Sequence, residues 1–153
     1  MMQILNESRD NYKKECKQKK DCFFCDSQVI KNQNCTQFLY KHWYVLVNKH
    51  PYQNGNVMII PKLHKTKLSQ LHQNEWQEFS LAIIDVQNAL GKHFDTDSFN
   101  IGLNEGKESG RSVAHLHWQI IPRHFKNHTA LEVFADIHVV TLSPKKLQEM
   151  LSQ

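Results

Sequence analysis

AHLHWQII, residues 114–121, places His115, His117 and Gln119 at every second position inside an apolar run. On an extended strand, residues two apart share a face at about 6.6 Å. The three polar groups are therefore expected as one row, with Leu116, Trp118 and Ile120 turned the other way into a core. Solvent-facing sheet positions generally carry Thr, Lys or Glu rather than paired imidazoles. The row thus points to chemistry more than to a solvated surface. Immediately upstream, Asn104-Glu-Gly106-Lys-Glu-Ser-Gly110-Arg111-Ser112 is a loop with two glycines, whose backbone N–H groups suit an anion-binding nest. Arg111 and Ser112 add donors, and Arg grips phosphate oxygens bidentately. Loop and strand are contiguous, so anion donors and imidazoles are expected to converge.

Working outward, FLYKHWYVLVNK (38–49) is aromatic and β-branched and predicts a strand. PYQNGN (51–56) is rich in turn residues, with Asn54-Gly55 as a hairpin signal, and VMIIP (57–61) predicts the returning strand. Asn74-Glu-Trp-Gln77 predicts a helix start with Asn74 as cap and Gln77 bonding back to it. Trp76, Phe79, Ile83, Val86 and Leu90 follow at helical spacing, and Gly91 suits the helix end. SFNIGLN (98–104) and IHVVTL (137–142) predict further strands, and Ser143-Pro144 opens a terminal helix. The expected fold class is α+β: an antiparallel sheet of about five strands with one main helix and a C-terminal helix.

The chain has 153 residues, enough for a single core. Its division is expected at a polar basic N-terminal extension, 1–20, followed by one domain, 21–153. The formal net charge is +4, with Lys13, Lys14, Lys17, Lys19 and Lys20 clustered near the start. That cluster reads as a solvated end; without aromatic interleaving, no nucleic-acid partner is expected. No apolar stretch approaches the roughly 20 residues of a membrane helix, and the start lacks a secretory signal pattern. No membrane partner and a cytoplasmic location are expected. Of the four cysteines, only Cys22-Phe-Phe-Cys25 has a spacing suited to metal or redox chemistry; Cys16 and Cys35 are expected as free thiols.

N-x-G-x-x-x-G-x-S-x-x-H-x-H-x-Q, residues 104–119, resembles the active-site segment of the histidine-triad (HIT) superfamily. The glutamine in third place resembles the branch containing galactose-1-phosphate uridylyltransferase and the diadenosine tetraphosphate phosphorylases. Ile-Ile-Pro-Arg (120–123) and VLVNKHPYQNGNVMIIPKLH (45–64) also resemble HIT segments. The similarity spans about 21–125. The uridylyltransferases contain two such units, where this chain has room for one.

The resemblance implies a nucleotidyl transferase or hydrolase acting on a nucleotide phosphoanhydride, such as diadenosine tetraphosphate, through a covalent nucleotidyl-histidine on His117. It implies phosphate contacts from Gln119, Asn104, Gly110, Arg111 and Ser112. It also implies a ribose contact from Asn48 and a base pocket walled by the strand of Val45, Leu46 and Val47. Cys22, Cys25, His64 and His115 match the ligands of zinc-containing relatives, and two thiolates with two imidazoles suit a structural zinc. A homodimer is also implied. Asn56 departs from the histidine common after the turn glycine, and Arg111 from a frequent glutamine. A carboxamide does not titrate usefully, so Gln119 favours expulsion of a phosphate group, second pKa about 6, over an amine of about 10.4. The alternative expectation is a non-catalytic nucleotide-binding module.

Overall fold

VMIIP, residues 57–61, is buried at every position, and the cause is that both faces of its strand are covered. The computed structural model describes residues 3–4, 14, 21–123, 139–140 and 142–152. In chain order these form β1 (Gln3–Ile4), a 3-10 turn (Phe23–Cys25), α1 (Ser27–Gln33), β2 (Trp43–Val47) and β3 (Val57–Pro61). They continue through α2 (Gln73–Phe94), β4 (Phe99–Leu103), β5 (Trp118–Pro122), β6 (Val139–Val140) and α3 (Pro144–Met150). The fold is α+β. Its main sheet is antiparallel with strand order β2-β3-β5-β4, so four strands stand where about five were expected. The strand expected over 137–142 contributes Val139–Val140, which pair with Gln3–Ile4 in a separate ladder. The rest of the extension over 1–20, including Cys16, lies outside the described residues apart from Lys14.

Alternation sorts the side chains between two apolar layers. Trp43, Val45 and Val47 of β2, Val57 and Ile59 of β3, and Trp118 and Ile120 of β5 face one layer. There they meet Phe79, Ala82, Val86 and Leu90 of α2 and Leu147 of α3. Leu46, Met58 and Ile60 face the other, beneath Phe24, Val29 and Ile30 of the N-terminal segment. Burying each such side chain contributes about 1.5–3 kcal/mol. Leu116, Trp118 and Ile120 are buried, as expected.

The main helix starts and ends away from the expected residues. His72, not Asn74, is its cap: the carboxylate of Glu75 accepts the His72 N–H at 2.7 Å and also the ammonium of Lys65. Gln77 cannot match that, because it lies two residues too far along to meet Lys65. Gly91 stays inside the helix, which runs on to Phe94 and is stopped by Asp95 in the left-handed region, φ 50°. Ser143 caps α3 as expected, its hydroxyl accepting the Lys146 N–H at 3.3 Å.

The β2–β3 connection is longer than a two-residue hairpin. Val47 and Val57 are its last pair, leaving residues 48–56 to curl against the sheet. Gly55 holds φ 81°, and a Cβ there would sit 2.5 Å from Pro122 Cγ and 2.8 Å from Phe94 Cε2. Only glycine meets both conditions.

Candidate functional site

His115 and His117 precede β5, and both rings stand against Phe24 on one side of the sheet, while Leu116, Trp118 and Ile120 face the α2 layer, so the expected row holds. The backbone there is not paired in the sheet: the Leu116 N–H instead donates to the Lys65 carbonyl at 2.7 Å. Two-residue alternation still holds here, because Leu116 faces the same apolar layer as Trp118 and Ile120. His115 turns into the interior toward the N-terminal segment, fully buried, while His117 and Gln119 line an open pocket.

On the His115 side, Cys22, Cys25, His64 and His115 bring one donor atom each within 4.8 Å of one another. Nδ1 of His115 lies 3.5 Å from Cys22 Sγ and 3.6 Å from Cys25 Sγ, and His64 Nδ1 lies 3.4 Å from Cys25 Sγ. A tetrahedral zinc with bonds of about 2.0–2.3 Å sets its ligand atoms about 3.3–3.8 Å apart. Those three separations fit such an ion, and the donor set suits it. Nε2 of His115 donates to the Pro61 carbonyl at 2.9 Å, which fixes the tautomer and presents the Nδ1 lone pair to the cluster. Burial holds the His115 imidazole neutral, with its pKa lowered to about 4. Desolvation and the neighbouring Cys22 thiol push Cys25 up to about 11. Such a set can hold a divalent cation, whose charge would offset that reluctance to ionise.

Beside it, around His117, is an open pocket. The loop of 104–112 supplies Asn104, Gly110, Arg111 and Ser112, the β2–β3 connection supplies Asn48, His50 and Tyr52, and Phe24 and Met58 close the floor. Gly110 holds φ 82°, a conformation that glycine allows, and so turns the loop toward the imidazole. His117 Nδ1 donates to the His115 carbonyl at 2.8 Å, because a carbonyl can only accept. Nε2 is left as the lone-pair nitrogen. Burial, opposed by that hydrogen bond, lowers the His117 pKa and keeps the ring neutral. Arg111 is steadied by bonds from one guanidinium nitrogen to the Ala114 carbonyl, 2.9 Å, and the Thr66 carbonyl, 3.4 Å. Among the described residues, nothing else accepts from its other N–H groups.

All seven residues expected to act on the substrate side (Asn48, Asn104, Gly110, Arg111, Ser112, His117 and Gln119) line this pocket. All four expected metal ligands meet in the cluster. One expectation changes. Val45 and Val47 face the α2 layer, and Leu46 is sealed under the N-terminal segment, so none of the three is exposed to a ligand. Phe24 was missed: its ring lies 5.2 Å from that of His117 and 6.2 Å from that of His115, so it walls the boundary between cluster and pocket. Its place inside the CxxC motif was the available signal. Asn56, fully buried, was noted only as a departure, yet it bonds to Gln119. His42, His50, His64, His72, His93 and His115 are the other described histidines; His124, His128 and His138 lie outside the described residues.

The fold and this paired site define a histidine-triad protein, and the HIT domain family matches residues 31–126. The chain belongs to that family. Among its relatives is the bis(5'-adenosyl)-triphosphatase of Saccharomyces cerevisiae, 35% identical over 85 residues, which are 55% of this chain and 41% of that protein. The adenylylsulfatase HINT3 of Arabidopsis thaliana is 31% identical over 105 residues, 67% of this chain and 52% of that protein. The chain thus spans about half the length of the curated relatives it matches. A Zn-bound histidine triad family protein from Mycobacterium smegmatis shares the fold, with a TM-score of 0.67 at 17% identity, covering 86% of this chain and 91% of that one. Among the described residues, no helix is long and apolar enough to cross a membrane.

Proposed function

We propose that this chain cleaves a nucleotide phosphoanhydride, a dinucleoside polyphosphate in particular, through a nucleotidyl group carried on His117. The observation that carries this reading is a neutral imidazole whose Nδ1–H is held by the His115 carbonyl, beside a glycine-turned loop with Arg111 and Ser112. The names of two relatives, a bis(5'-adenosyl)-triphosphatase and an adenylylsulfatase, support anhydride cleavage next to an adenylyl group.

In this reading, the Nε2 lone pair attacks the α-phosphorus. A P–N bond forms, the P–O bond to the rest of the phosphate chain breaks, and the leaving oxygen takes the bonding pair. The ring becomes cationic as the bond forms, and the His115 carbonyl, already accepting from Nδ1, stabilises that charge. Arg111 neutralises charge on the departing phosphates, and Ser112 and Asn104 hold non-bridging oxygens. A phosphate leaving group needs no proton, so the non-titrating Gln119 suffices in third place. Phosphate or water then attacks the same phosphorus and expels the imidazole. Phosphate as acceptor gives phosphorolysis, and we favour it slightly.

Cys22, Cys25, His64 and His115 would hold a structural zinc, which fastens the N-terminal segment and the His115 backbone that orients His117. A homodimer acting on a small-molecule nucleotide in the cytoplasm completes the proposal. The test is a panel of dinucleoside polyphosphates and nucleotide sugars incubated with and without inorganic phosphate, with products separated by chromatography. ADP from diadenosine tetraphosphate only when phosphate is present means phosphorolysis; AMP in both reactions means hydrolysis. Binding with no product under either condition would overturn the catalytic reading and leave a nucleotide-binding module.

A further inference from the structure

Three carboxamides meet beside the pocket, and the backbone fixes which way each one faces. Asn56 Oδ1 accepts the Tyr52 N–H at 3.1 Å, and its Nδ2 donates to the Val57 carbonyl at 3.1 Å. An N–H can only donate and a carbonyl can only accept, so the Asn56 amide has one allowed orientation. Asn48 is fixed the same way: its Oδ1 accepts the His50 N–H at 2.9 Å. Both Nδ2 groups then reach one atom of Gln119, at 2.8 Å from Asn56 and 3.2 Å from Asn48. That atom receives two donors and must be Oε1. Nε2 of Gln119 accordingly faces the pocket, and among the described residues no group accepts from it.

We infer that Asn56, helped by Asn48, is a positioning residue that locks Gln119 as an obligate hydrogen-bond donor to an oxygen of the transferred phosphoryl group. The inference rests on the functional reading above and deepens it. A free carboxamide can turn over and offer its own carbonyl oxygen, which repels a phosphoryl oxygen. A locked one cannot, and pre-aimed donors are worth most where charge develops. The lock also selects ligands: the third place of the motif admits an acceptor such as a phosphoryl oxygen and disfavours a group presenting N–H or O–H. Asn56 is buried and touches substrate only through Gln119. The pairing explains why this chain carries asparagine after Gly55 together with glutamine at 119, two amides whose donor and acceptor patterns interlock.

A double-mutant cycle on diadenosine triphosphate turnover tests it, using Asn56→Asp, Gln119→Ala and the double variant. An ionised Asp offers Gln119 only acceptors, so the carboxamide turns its NH2 toward Asp and its oxygen toward the ligand. Asn56→Asp is expected to lower kcat by about 10- to 100-fold with KM within about threefold. In the Gln119→Ala background the same change should move kcat by less than about twofold, because residues acting as a unit are not additive. An equal loss in both backgrounds would overturn the inference. If Asn56→Asp does not fold, Asn48→Asp removes the other donor and is expected to show the same dependence on Gln119 at smaller size.

A second readout does not need turnover. In ¹⁵N-labelled protein, the Gln119 side-chain amide signals, identified by their loss in Gln119→Ala, should shift on saturation with AMP in the wild type. They should stay unmoved in Asn56→Asp, while backbone amides of 110–112 shift in both. Shifts at 110–112 without any at Gln119 in the wild type would overturn this inference alone. No shift at either place would overturn the functional reading, and this inference with it.

Discussion

His115 and His117 are two residues apart, yet they serve two different environments. The first ring is fully buried, with one nitrogen on the Pro61 carbonyl and the other among thiols. The second lines an open pocket with one nitrogen on the His115 carbonyl and the other bonded to none of the described residues. In both, a backbone carbonyl takes one N–H and so decides which lone pair is offered. The surroundings then decide what that lone pair can do: beside two cysteines it can ligate a cation, and beside Arg111 and a glycine-turned loop it can attack phosphorus. The carbonyl on His117 belongs to His115 itself, so the cysteine-histidine cluster directly orients the ring in the pocket.

The sharpest way to break this division is His117→Ala. Turnover of the best substrate should fall by at least about 10³-fold, because the covalent route is lost. Metal content by elemental analysis should stay at the wild-type value. Loss of metal in that variant would mean that the two sides are not separate. Phe24→Ala removes the ring shared by both sides. At 3% exposure it should cost about 3–5 kcal/mol in urea unfolding and raise KM as well, since the same ring floors the pocket. A stability loss with KM unchanged would confine Phe24 to the cluster. Removing metal with a chelator should lower Tm by about 5–11 °C. That figure corresponds to about 2.7 kcal/mol at free metal 100 times its Kd. Cys25→Ser should abolish the chelator's effect, and an unchanged Tm with chelator in the wild type would contradict a bound structural ion. The smallest effect is expected from Gly55→Ala, about 1–3 kcal/mol by thermal unfolding, from the positive φ and the contact with Pro122. An unaltered Tm would show that the 48–56 connection is not packed as described.

Much of the fold was legible because apolar period and turn chemistry agreed: β3, β4, the body of α2 and the Ser143 cap fall where the residues predict them. The failures have local physical causes. The start of α2 was misplaced because Glu75 answers to Lys65, a tertiary partner ten residues upstream that no local pattern reveals. The four cluster residues come from three separate segments, and only the family resemblance joined them beforehand. Asn56 was opaque for the same reason: its meaning lies in bonds to Tyr52, Val57 and Gln119, which meet only after the 48–56 connection folds back.

The most direct measurement is to quench a reaction with diadenosine triphosphate at neutral to alkaline pH, where a phosphoramidate survives, and map the nucleotidyl adduct by peptide mass spectrometry. The account predicts AMP on His117 and on no other histidine, with the metal still bound to the intact protein. A label on His115 or His64, or turnover with no protein-bound nucleotide at any time point, would contradict it.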